Sequence, residues 1–200
     1  MAVRRVARGW LIAVEGTCGP NLTTAAKRLA RALRAAAREG GVSVWDSSGI
    51  FTDLVAAEPG VPGPTARTIL LLYAADLAFR LRWQIRPALE EGQWVVAAPY
   101  VESAIALGMG AGLPKSWLAE LFRFAPKPNA CYRISDRGGP GKTSAGSGYP
   151  EFFCSAIEAS GDAIDLVGLR THSIEYLTGL ERRHRCTRLT ERAIAALGKK

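Results

Sequence analysis

Short unbroken apolar runs alternate along the chain with longer stretches of helical period. Residues 10–14 (WLIAV) form an apolar run of strand length, closed by Glu15 and Gly16. Continuous rather than alternating apolarity marks a strand buried on both faces. Over 23–39 the period becomes helical. Ala25, Ala26, Leu29, Leu33 and Ala36 or Ala37 fall on one stripe, with Lys27, Arg28, Arg31, Arg34 and Arg38 elsewhere. Gly40-Gly41 is expected to end that helix, and 42–45 reads as a second strand. A Pro- and Gly-rich loop occupies 58–64. A long helix is expected over 65–91, with Thr65 as its N-cap, a kink near Pro87 and Gly92 as its stop.

A third strand is expected over 93–97, then helices over 101–109 and 114–124, with Pro114 in a first turn. A fourth strand falls at 129–134, a Gly-rich mobile loop at 135–150 and a helix at 151–160. A fifth strand at 163–167 and a helix from about 173 complete the pattern. Strands alternating with helices predict an α/β fold, a three-layer αβα arrangement around a five-stranded parallel sheet. No internal repeat or linker divides the 200 residues, so 1–200 reads as one domain with a lid-like loop at 135–150.

Composition narrows the class. With 48% hydrophobic and 22% charged residues the chain is ordinary globular material, which excludes disorder, collagen and a coiled coil. The net charge of +8 favours anionic partners in general. The arginines are scattered along helices rather than run together, so nucleic acid is not an expected partner. Four cysteines, at 18, 131, 154 and 186, and two histidines give no zinc spacing and no disulfide framework. That usage fits a reducing cytoplasm. The 10–14 run is too short for a signal segment, and no apolar stretch is long enough to span a membrane.

In a sheet of this kind ligands bind beyond the carboxyl ends of the strands, so the first strand-to-helix turn is the place for chemistry. It reads Glu15-Gly16-Thr17-Cys18-Gly19-Pro20-Asn21-Leu22-Thr23-Thr24. A phosphate-binding loop needs glycines that let backbone N–H groups wrap phosphates, a lysine for the outer phosphates and a hydroxyl for Mg²⁺. Gly16, Gly19, Thr23 and Thr24 fit that pattern; Asn21-Leu22 occupies the Gly-Lys pair.

The order and spacing of several segments resemble the thymidylate kinases. Residues 15–24 align with the family's Glu-Gly-x-Asp-Gly-x-Gly-Lys-Thr-Thr loop. The 70–76 (LLLYAAD) and 85–92 (IRPALEEG) stretches look like its long helix. Residues 94–103 (WVVAAPYVES) align with its strand ending in Asp-Arg-Tyr, and the register continues through 110–121. The resemblance implies a P-loop, nucleotide-kinase-like fold and a homodimer with long helices packed between subunits.

The departures fall on charged site positions. Leu22 replaces the phosphate-binding lysine, Pro20 has no N–H to donate, and Cys18 replaces the loop aspartate. Asp46 stands where the family has an arginine that helps hold the acceptor phosphate. Leu77 replaces an arginine that reads the base, Ala98-Pro99 replaces the Asp-Arg pair, and Leu107 replaces a tyrosine of the acceptor pocket. Tyr73 takes the place of the family's stacking phenylalanine, although an aromatic on a core-facing helix packs as readily as it stacks. Tyr100 and Ser103 line the same remnant. Phosphoryl transfer depends on positioning and charge neutralisation, so losing these groups together removes most of it.

The expectation is therefore an inactive thymidylate-kinase-like protein that works by binding or scaffolding, with an unidentified protein partner. Nucleotide binding is expected to be weak or absent and no cofactor is expected. The alternative is an active nucleoside monophosphate kinase using Mg-ATP, with Arg137 or Lys142 of the 135–150 loop supplying lost charge.

Overall fold

The computed structural model describes residues 9–51, 63–134, 148–161 and 163–197. Five parallel strands, β1 (Trp10–Glu15), β2 (Gly40–Val44), β3 (Trp94–Ala98), β4 (Ala130–Arg133) and β5 (Thr187–Arg188), stand in the order β2-β3-β1-β4-β5. β1 is central, with Ile12 opposite Val96 of β3 on one side and Ala130 of β4 on the other. Residues 11–14 are almost fully buried, as an apolar run without polar interruption requires.

The helices are α1 (Gly19–Ala35), α2 (Ala66–Arg80), α3 (Arg86–Glu90), α4 (Val101–Gly110), α5 (Lys115–Leu121), α6 (Tyr149–Ser160), α7 (Leu166–Arg182) and α8 (Glu191–Leu197). Ile12 and Val14 face a core built with Leu22, Ala26, Leu29 and Leu33 of α1 and Leu197 of α8. Leu11 and Ala13 face the opposite layer, made with Leu70, Leu77, Leu107, Ile157 and Leu169. The result is the expected three-layer αβα architecture.

Several boundaries differ from the sequence expectation. α1 begins at Gly19, four residues before the helical pattern becomes clear, and ends at Ala35, with Ala37 left-handed at φ 57°. Gly40 opens β2 instead of capping α1, because a Cβ there would strike the Trp94 carbonyl of the neighbouring strand. The expected long helix is present with Thr65 as its cap, its Oγ1 accepting from the Thr68 N–H at 3.3 Å. Leu81–Ile85 widens into a π turn just before Pro87. That turn accommodates a residue that cannot donate to the preceding carbonyls.

Two expectations are corrected. Residues 163–165 are not a strand: the Asp165 carboxylate accepts from the Val167 N–H at 2.9 Å and starts α7 at Leu166, about seven residues earlier than read from the sequence. The fifth strand is Thr187–Arg188, two exposed residues carrying no apolar run. Cys131 and Cys186, 55 residues apart, are joined as a disulfide with a Cα–Cα separation of 4.6 Å. The sheet brings β4 beside the end of α7, a proximity no local spacing reveals, and cysteine usage thus gives no argument for a reducing compartment. Among the described residues no helix is long and apolar enough to cross a membrane.

Candidate functional site

The turn between β1 and α1 is closed by protein groups. The Gly16 N–H donates to Ser103 Oγ at 3.0 Å. The Gly19 N–H, at the start of α1, donates to both carboxylate oxygens of Glu151 at 3.0 and 2.9 Å. Orphan N–H groups and the helix dipole make such a terminus an anion site, and here the anion is an internal side chain. Glu151 lies in the first turn of α6 and is 5% exposed. A Cβ on Gly19 would collide with that carboxylate and with the Gly148 backbone, so the two helix ends meet through glycine. Pro20 lies in the first turn of α1, where a missing N–H is tolerated.

Leu22 lies in the sheet core, its side chain beside Gly16 of the turn. It is fully buried, packed with Ile134 and Ala26. Asn21 and Thr24 are exposed and Thr23 is half-buried. On the solvent side of the first turn, Asn21, Thr24 and Arg28 line a shallow cleft of about 230 Å³ with Leu189 and Thr190.

The acceptor-pocket positions are brought together, but as core. Tyr73, Leu77, Tyr100, Ser103 and Leu107 are all buried to within 1% of full burial. The Tyr73 ring lies 4.2 Å from that of Tyr149, beside Phe51, Phe152 and Phe153, which leaves no open face for a base. The Tyr73 hydroxyl donates to the backbone carbonyls of Pro99 and Tyr100 and accepts from Arg80 Nη2 at 3.2 Å. Burial pushes its pKa up. The Tyr100 hydroxyl donates to the Pro126 carbonyl at 2.8 Å. Ala98 and Pro99 are joined by a cis peptide bond and are both buried. Asp46, in the turn after β2, has φ 57° and accepts from the Phe51 N–H at 2.9 Å. Arg137 and Lys142 lie outside the described residues.

Besides Asp76 and Arg133, three buried charged groups have roles that escaped the sequence reading. Arg80 is fully buried and pairs with Asp76 at 2.9 Å, one helical turn away. It also donates to the Pro99 carbonyl at 3.2 Å, while Asp76 accepts from the Ser48 N–H and hydroxyl. The guanidinium beneath the degenerate Ala98-Pro99 segment is therefore fixed by protein acceptors; its i,i+4 spacing from Asp76 was the available signal. Glu15, at the end of β1, accepts from the N–H groups of Tyr100, Glu102 and Ser103 and from the Ser103 hydroxyl at 2.6 Å. It thus caps α4. Burial raises its pKa to about 7 against those hydrogen bonds. Glu151 is the third, and its role depends on a contact across 132 residues.

The loop N–H groups at 16 and 19 are engaged, Leu22 is a fully buried core residue, and Ala98 is a buried alanine. Among the described residues no group of three His, Cys, Asp or Glu side chains is placed to hold a metal ion.

No family model matches the chain. A probable thymidylate kinase of Pyrococcus abyssi is 31% identical over 132 residues, covering 61% of this chain and 62% of that protein. The thymidylate kinase of Thermomicrobium roseum is 38% identical over 131 residues, covering 58% and 56%. The matched stretch thus spans about three fifths of these curated relatives. The crystal structure of thymidylate kinase from Ehrlichia chaffeensis matches with a TM-score of 0.66 at 16% identity, over 94% of this chain and 95% of that one.

Proposed function

We propose, for a chain that belongs with the thymidylate kinases in sequence and fold, that it no longer transfers phosphate and acts by binding or scaffolding. The observation that carries this reading is Glu151, whose carboxylate sits on the N-terminus of α1. A nucleotide's phosphates would have to displace the Glu151 carboxylate and would meet Leu22 at the loop's lysine position. Losing the N–H cradle, the lysine and the aspartate together removes positioning and charge neutralisation at once. The aromatic core around Tyr73 supports the same reading on the acceptor side.

Beyond a cleft of about 410 Å³ beside Glu15, Tyr100 and Lys127, what remains for binding is surface. The outer face of α2 and the following turn exposes Leu71, Phe79 and Trp83, at 49%, 39% and 65%, a stripe that fits a partner helix. The proposed use is a homodimer through this face.

A coupled assay with dTMP and other monophosphates plus Mg-ATP tests the reading. No turnover is expected from the purified chain or from Leu22→Lys, since that side chain lies in the core below the turn. Turnover near the ~1–10³ s⁻¹ of ordinary enzymes would overturn it in favour of a rearranged active kinase.

A further inference from the structure

The arginines that look scattered in the sequence are gathered by the first helix. Between Gly16 and Arg38 there is no acidic residue. Lys27, Arg28, Arg31 and Arg34 are all exposed on the outer side of α1, within two turns of one another. Positions 27, 31 and 34 lie on one line, because spacings of three and four residues return to the same face. The rise from first to last is about 10 Å. Arg38 follows just beyond the helix, its guanidinium 5.5 Å from the Trp94 ring. Among the described residues Glu191 of α8 is the acid paired with this face, and it engages Arg28. Lys27 and Arg31 make no ion pair there.

The face also borders a groove. Two clefts, of about 230 and 340 Å³, share Arg28, Glu191 and Ile194, and together they follow the seam between α1 and α8. Arg31 lines the second of them. A row of like charges beside a groove concentrates anions, and guanidinium groups match phosphate oxygens in pairs.

We propose that the outer face of α1 docks the phosphate backbone of a nucleic acid without reading its sequence. The chemistry selects this occupant. A second copy meeting this face through its own α1 would set two rows of exposed cations against each other, which repel. A membrane-seated helix needs an apolar face to bury, and that of α1 is already packed on the sheet through Leu22, Ala26, Leu29 and Leu33. A repeating polyanion matches cations repeated turn by turn.

The test is fluorescence anisotropy with two unrelated labelled single strands of about 20 nucleotides, titrated at several salt concentrations. The two strands are expected to bind alike. The slope of log K against log salt should be about −2 to −3, the value for three or four released counterions on a single strand. A Lys27→Glu, Arg31→Glu double variant should bind at least about tenfold more weakly at low salt. Its melting curve should be unchanged, since both side chains are exposed. A control pair at another basic site, Arg182→Glu with Arg183→Glu, should weaken binding less than a third as much. Absence of binding at low salt, a flat salt dependence or equal losses in the two variants would overturn the proposal. So would tight binding to vesicles of phosphatidylserine and phosphatidylcholine with none to the oligonucleotides.

Discussion

At Glu15 a carboxylate accepts four hydrogen bonds yet holds its proton near neutrality, because burial outweighs them. Its pKa rises from 4.5 to about 7 on folding. Between those values the folded chain binds a proton that the unfolded chain has released. This group therefore lends stability at pH 5 that is lost as pH rises through about 7. Urea unfolding of wild type and Glu15→Gln from pH 5 to 8 checks the sign. Wild type should gain on the variant as pH falls, by up to roughly 3 kcal/mol. Parallel profiles would contradict it. Glu15 was visible in the sequence as the end of a strand. Its hydrogen bonds to the start of α4 were not, since they join residues more than 80 positions apart.

The elements closest to the site were the easiest to anticipate where local chemistry decides them. β1 follows from five apolar residues, and α2 from its Thr65 cap. The misplaced elements are those that distant packing decides. Gly40 pairs with β3, so it belongs to a strand. β5 exists because the backbone at 187–188 lies beside β4, with no apolar signal of its own. The expected strand at 163–167 carries β-branched and apolar residues, yet an aspartate cap turns it into α7. The junction of α1 and α6 is the element-scale feature that closes the site. There Gly148 and Gly19 touch backbone to backbone, so a Cβ on Gly148 would strike both Gly19 and Glu151. Gly148→Ala should cost about 1–3 kcal/mol in chemical denaturation by forcing these helix ends apart. A variant as stable as wild type would show that the junction is loose.

Across the whole molecule, an inherited framework and an altered interior coexist. The five-stranded parallel sheet between layers of helices is what the resemblance led one to expect. Where the resemblance puts charged site groups, the sequence itself carries Leu22, Leu77 and Ala98. What fills the site in their place was not legible there, because Glu151, Arg80 and Tyr149 acquire their roles only through the fold. The outer face of α2 is where this framework would meet a second copy. Sedimentation should show a dimer that Trp83→Asp converts to monomer, while a monomeric wild type would remove this face from the account. The central claim is that the nucleotide site is closed, and thermal melting with millimolar Mg-ATP and dTMP, together and apart, tests it most directly. No upward shift in Tm is expected. A ligand present at a hundred times its Kd stabilises by about 2.7 kcal/mol, so a rise of several degrees with either nucleotide would contradict a site filled by Glu151 and the aromatic core.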